Sequence, residues 1–206
     1  VRLPAAHRRR QLLDVARDLF AARGFHSTSM DDVAVAAGVT KPVLYQHFRS
    51  KRGLYSELLN DVGTVLLAEI AEATGRLTGG RARVEAGFTA YFRYVAANQS
   101  AFRLLFGASV RNDAEFARVA ERVVADIAAT IATLIEVDAS DEQRLVLAHA
   151  IVGIAESTSR RALIETGAAA DPETLARWTA ELAWYGLRGI RGDAHDGSGG
   201  SDYNRD

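Results

Sequence analysis

Cysteine is absent from the 206 residues. This excludes disulfides and thiolate metal sites and is compatible with a reducing compartment. Proline occurs three times, at Pro4, Pro42 and Pro172, so little interrupts a helical course. Alternating runs rich in Val, Ile and Thr are missing, which leaves no strand signal. The longest apolar run, "LVLAHAIVGIA" at 145–155, is far too short to span a bilayer. "VRLPAAHRRRQLL" carries no apolar core long enough for a signal peptide, so a cytoplasmic protein with no membrane partner is expected. Gly-rich phosphate loops are absent, and "GSGGS" at 197–201 follows no strand. The five histidines are scattered, with no Glu-x-x-His or His-Glu-x-x-His spacing. No metal, no cofactor and no catalytic site are therefore expected.

What is present is ordinary in sum and uneven in placement. Hydrophobic residues make up 48% and charged residues 25%, values of a globular protein with a buried core. Net charge is −1, but it splits. Residues 1–52 hold ten Lys/Arg against four Asp/Glu, and residues 53–206 hold fifteen against twenty-two. A basic head on an acidic body points to a polyanion partner for the head alone.

The pattern is helical almost throughout, and the expected fold class is all-α with nine helices. The first spans about 7–23, with Leu12, Leu13, Ala16, Leu19 and Phe20 on one face and Gly24 as its stop. Ser29 with Asp32 three residues on is a capping-box signal opening a second helix that Gly38 ends. A third covers 41–48, and Ser50 caps a long fourth at 51–75. Five more follow at about 83–97, 100–108, 113–136, 141–166 and 172–190, the last opened by Asp171 and Pro172. Three regions are expected: a head at 1–52, a helical body at 53–190 and a flexible tail at 191–206.

The stretch "GVTKPVLYQHFRSKRGLY" carries the chemistry. At 100° per residue, Leu44 and Phe48 face inward while Pro42, Val43 and Gln46 face out, flanked by Tyr45 and His47. Two helices joined by a glycine turn, the second short and outwardly polar, form a helix-turn-helix pattern suited to the major groove. Gln46 can bond adenine and Lys41 guanine, while Pro42 and Val43 can meet thymine methyls. Thr40 can cap the helix. Tyr45, His47 and Lys51 can reach phosphates, as can Thr28 and Ser29 at the start of the second helix. "HRRRQ" at 7–11 offers mobile positive charge nearby.

These pieces resemble the DNA-binding domain of the TetR family of transcriptional regulators. The matching motifs are "A-x-x-L-F-x-x-x-G-F", "S-M-D-D-V-A-x-A-A-G-V" and "L-Y-x-H-F-x-S-K-x-x-L", which cover about a quarter of the chain. The resemblance implies a homodimer on a palindromic double-stranded operator, with the body dimerising through its last two long helices. Ile151, Val152 and Ala155 on one, and Trp178, Leu182 and Tyr185 on the other, are the interface candidates. It also implies a small-molecule effector pocket in the body. Phe88, Tyr91, Phe92, Tyr94, Phe102 and Phe106 are candidates to line it, with His149 and Glu156 to orient the ligand. These two also read as a satisfied core histidine and a glutamate paired with Arg160 at i+4. The expected function is a ligand-responsive regulator, a repressor by family default, with the 51–75 helix transmitting ligand binding. The alternatives are a ligand-independent architectural DNA-binding dimer and a helical-bundle enzyme.

Overall fold

A computed structural model describes residues 4–165 and 171–190. The order is α1 (Ala5–Arg23), α2 (Met30–Ala36), α3 (Lys41–His47), α4 (Lys51–Thr74), α5 (Gly80–Ala97), α6 (Gln99–Phe106), α7 (Ala108–Arg111), α8 (Ala114–Leu134), α9 (Asp141–Ser159) and α10 (Pro172–Arg188). No strand occurs among the described residues, and no helix there is long and apolar enough to cross a membrane. The nine expected helices are joined by the single turn α7. The 191–206 tail and the 166–170 junction lie outside the described residues.

Capping chemistry sets most helix starts. Ser29 accepts from the Asp32 N–H while Asp32 accepts from the Ser29 N–H, a complete capping box. Ser140 and Gln143 repeat it at α9. Ser50 caps α4, Asp113 caps α8, and Asp171 with Pro172 opens α10. Thr40 makes no side-chain cap. Several boundaries depart from expectation, among them the start of α5 at Gly80 rather than 83. α1 begins at Ala5 rather than 7. α3 stops at His47, because Phe48 turns extended to enter the core. α9 ends at Ser159, where the backbone widens into a π turn over Arg160–Glu165.

α1, α2 and α3 close around Leu12, Ala16, Phe20, Val33, Leu44 and Phe48, each at most 2% exposed. Gly38 turns α2 into α3 at φ 63°, a left-handed angle that favours glycine. α4 leaves this head and packs in the body against α5 and α8, α5 packs against α10, and α8 against α9. The approach of α4 to α8 is close. Gly63 is buried, and a Cβ there would run into Val123 Cγ1 on α8.

Gly63→Ala gains helix propensity but forces a β-branched, χ1-stiff neighbour aside. Overpacking wins, so the variant is expected to lose about 1–3 kcal/mol in denaturant unfolding. Adding Val123→Ala is expected to recover part of that loss. A Gly63→Ala protein as stable as the parent would contradict the close approach.

Candidate functional site

The outward face of α3 carries Thr40, Lys41, Pro42, Tyr45 and Gln46, all exposed, with Val43 and His47 half-buried. Leu44 and Phe48 are buried at 0% and 2%, so one side of this short helix anchors and the other is free. Gln46 has the exposure that bidentate base contact needs. Lys41 Nζ stands 2.9 Å from the Asp31 carboxylate, whose hydrogen bond holds the ammonium above its ordinary pKa. Lys41 therefore has to exchange one anion for another to reach DNA.

Several expected phosphate contacts are occupied by the fold. Thr28 is 1% exposed and donates to the Gly24 carbonyl, so its hydroxyl is internal. Ser29 is exposed, but its hydroxyl donates to Asp32 at 2.6 Å, which helps hold that carboxyl below its usual range. Lys51 Nζ donates to the carbonyls of Phe25 and Thr28 at 2.9 and 3.0 Å and sits 4.3 Å from the Phe25 ring centroid. It closes the α1–α2 loop onto α4 rather than reaching outward. The "HRRRQ" arginines are likewise held. Arg9 donates to the His47 carbonyl and Glu57 and lies over Phe48. Arg10 forks between Asp14 and Asp61. Arg52 pairs with Asp113 and Glu115 at the start of α8.

Much of the head's positive charge thus fastens head to body. Two groups absent from the sequence reading remain on the outer surface. Arg49 is exposed, and none of the described ion pairs includes it. Val35 on α2 is 80% exposed and apolar. The "RSKR" run contained the Arg49 signal, but nothing in it separated the free arginine from the held Lys51 and Arg52.

The body encloses a cavity of about 310 Å³, within the range of small-molecule sites. Its walls are apolar: Leu66 and Ile70 of α4, Phe88 of α5, Ile127 and Ile131 of α8, and Val152 of α9. Charged residues gather where α5 begins and α8 and α10 end, with Arg83, Glu136, Asp138 and Arg188 around Trp184. Arg83 pairs with Glu136, while Arg188 lies 5.8 Å from the Trp184 ring centroid. Tyr91, Phe106 and Ala155 also line it.

Of the pocket candidates, Phe88, Tyr91 and Phe106 line this cavity. Phe92 and Phe102 are core residues at 0% and 4% exposure. Tyr94 is half-buried near Arg17 and Asp61, and burial pushes its phenol up. His149 is exposed on the outer face of α9, its Nδ1 2.9 Å from the Leu145 carbonyl oxygen. Glu156 accepts from Arg160 at 2.6 Å, which is the i+4 pair. The α9 interface candidates lie toward the cavity: all three line it, Val152 and Ala155 are buried and Ile151 is half-buried. The 3.6-residue repeat instead puts Val146, Ala150, Gly153 and Ser157 outside. On α10, Trp178, Leu182 and Tyr185 are 61–64% exposed and share one face.

A helix-turn-helix head and a helical chamber joined by one helix define the class of a two-domain DNA-binding regulator. The chain belongs to the TetR family of bacterial regulatory proteins. The family profile described as "Bacterial regulatory proteins, tetR family" matches residues 12–58, and "Tetracyclin repressor-like, C-terminal domain" matches residues 81–186. The HTH-type transcriptional activator FasR of Mycolicibacterium smegmatis is 34% identical over 189 residues, covering 90% of this chain and 85% of that protein. The HTH-type transcriptional repressor KstR2 of Rhodococcus jostii is 37% identical over 94 residues, 46% of each chain. Among solved structures, a TetR-like transcriptional regulator from Rhodococcus sp. RHA1 superposes with a TM-score of 0.73 at 27% identity, over 92% of this chain and all of that one. FadR of Bacillus subtilis in complex with stearoyl-CoA shares the fold, with a TM-score of 0.74 at 14% identity, over 88% and 98% of the two chains.

Arg49→Ala is expected to weaken binding to all DNA sequences and reduce the salt slope by about one unit. Gln46→Ala is expected to relax preference at one base pair, at about 1–3 kcal/mol. Lys51→Ala should act on folding instead. Loss of its charged hydrogen bonds is expected to cost about 1–3 kcal/mol of stability. Salt titrations of DNA binding beside urea melts distinguish the three variants. A Lys51→Ala protein of unchanged stability but reduced salt slope would reverse the assignment.

Proposed function

We propose that this chain is a dimeric, ligand-responsive DNA-binding regulator that reads a palindromic operator through α3 and leaves it when the body cavity fills. The observation that carries this is α4. Its first turn meets the head through Lys51, which donates to the Phe25 carbonyl, and Arg52, which lies near the Phe25 ring, and its second half lines the cavity through Leu66, Ile70 and Thr74. A ligand that prefers one tilt of this helix changes how the head is held. Such differential binding is typically worth about 1–3 kcal/mol between sites. α6 offers a second route, because Phe106 lines the cavity while α6 packs on α1.

Dimerisation is supported by the exposed stripe Trp178, Leu182 and Tyr185 on α10, and Leu145 and Val146 of α9 are exposed as well. Large apolar side chains clustered on one outer face mark an interaction surface. Two heads about one DNA turn apart, ~34–36 Å or somewhat more, would engage a two-fold operator. Linking two weak sites raises affinity by roughly 10²–10⁴. The release step serves repression or activation according to where the operator lies. Repression is the family default, and the relatives named above include both a repressor and an activator.

The cavity supports a largely aliphatic effector, since its walls are mostly Leu, Ile, Val and Phe. The Bacillus subtilis FadR complex provides a related fold holding a long acyl chain. DNA selected from a random pool supplies the operator, and compounds are then screened for its release. Leu182→Glu is expected to give monomers by light scattering and to lower operator affinity about 100-fold or more. A variant that stays dimeric and binds as before would rule out the α10 face.

A further inference from the structure

One carboxylate lies among the groups that α3 presents outward. Residues 1–52 contain four Asp/Glu. Asp14 and Asp18 pair with arginines of α1, and Asp32 closes the capping box of α2. Asp31 has another neighbour. It is exposed on α2, with its two oxygens 2.9 and 3.1 Å from Lys41 Nζ. Lys41 opens α3, and the opening residues of a recognition helix are those that meet base edges. Val35 follows Asp31 by one helical turn and is 80% exposed. That side of α2 therefore carries an acceptor and an apolar group rather than phosphate-binding side chains.

A carboxylate beside a polyanion is repelled unless something answers its charge. In the free protein Lys41 does so. On DNA the ammonium is drawn to phosphate, and Asp31 is then left needing a donor in the groove. Guanine and thymine turn acceptors into the major groove, which repel a carboxylate. Adenine sets its amino group beside the N7 acceptor. Cytosine offers an amino group alone.

Resting on the reading of α3 as the recognition helix, we propose that Asp31 is a specificity-determining residue on α2. It accepts from the N4 amino group of one operator cytosine once Lys41 has left it for the DNA backbone. At any other base the freed carboxylate is unanswered, so the ion pair persists and Lys41 adds nothing to binding. The pair thus reads one base pair and also holds down binding to unrelated DNA.

The test uses the full chain. Operators are selected from a random pool with the parent, Asp31→Ala and Asp31→Asn, and salt titrations follow on a duplex lacking the selected sequence. The parent is expected to prefer cytosine at one position about 5- to 100-fold, and Asp31→Ala to lose that preference alone. Asp31→Asn should move the preference toward adenine, whose N6 and N7 suit an amide. On the unrelated duplex Asp31→Ala is expected to bind about 2- to 5-fold more tightly, the worth of an exposed ion pair. Its salt slope should steepen by about one unit, because Lys41 is free to neutralise a phosphate. Adding Lys41→Ala should remove both gains.

A purely structural role moves these readouts the other way. Asp31 lies in the first turn of α2, where a carboxylate favours the helix dipole. Loss of that support alone would weaken binding to every duplex, and such uniform weakening overturns the proposal. So does an Asp31→Ala protein with the parent's base preferences or the parent's affinity for unrelated DNA, and so does an Asp31→Asn protein that still selects cytosine. In each of these cases the parent's own selected operator leaves the α3 reading standing. A parent that selects no sequence overturns both.

Discussion

The rest of the molecule hangs on an aromatic joint where the head meets the body. Phe25, just after α1, packs against Tyr55 of α4 at 5.2 Å and Phe116 of α8 at 4.8 Å between ring centroids. Tyr55 and Phe116 are themselves 4.5 Å apart, and Phe20 of α1 meets Tyr55 edge-on at 5.2 Å. Each such pair is worth about 0.5–1.5 kcal/mol beyond its buried area. Lys51 and Arg52 lie against the same Phe25 ring, at 4.3 and 5.8 Å from its centroid. The head therefore cannot move freely on the body, and its set of orientations is fixed by how α4 and α8 sit under Phe25.

This joint explains why basic residues near the DNA face are not all DNA contacts. Arg9, Arg10 and Arg52 face carboxylates of α1, α4 and α8, and Lys51 faces carbonyls. At partly exposed sites these pairs contribute modestly to stability. Their directional effect is larger, because forked arginine–carboxylate contacts define an angle. The same pairs tie the head–body angle to α4, the helix on which Arg52 and Tyr55 share a rod with Leu66 and Ile70 of the cavity wall.

The body shows how one helix face is divided between two duties. In α9 the inward residues Ile151, Val152 and Ala155 line the cavity, and the outward side carries His149 among Val146, Ala150, Gly153 and Ser157. In α10 Leu187 lines the cavity while Trp178, Leu182 and Tyr185 lie outside. A helix apolar almost all round must be covered on two sides. The chain itself covers one side. On α10 the other side stays open, with Trp178, Leu182 and Tyr185 exposed.

The sequence alone determined the all-α class, the order and approximate length of the helices, and the helix-turn-helix. These rest on short-range physics: capping residues three apart, proline at first turns, a left-handed glycine, and apolar spacing of three and four. The inward and outward sides of α3 were legible for the same reason, since Leu44 and Phe48 fix its phase. Tertiary structure decided which charges are free. Lys51 and Arg49 are indistinguishable in sequence, and only the position of the Phe25 and Thr28 carbonyls makes one structural and leaves the other on the surface. It also decided which aromatic residues face empty space. Phe88 and Phe92 are one turn apart on the same helix, but the first lines the cavity and the second fills the core. Periodicity gives a helix its apolar side, whereas a cavity is set by where several helices fail to meet.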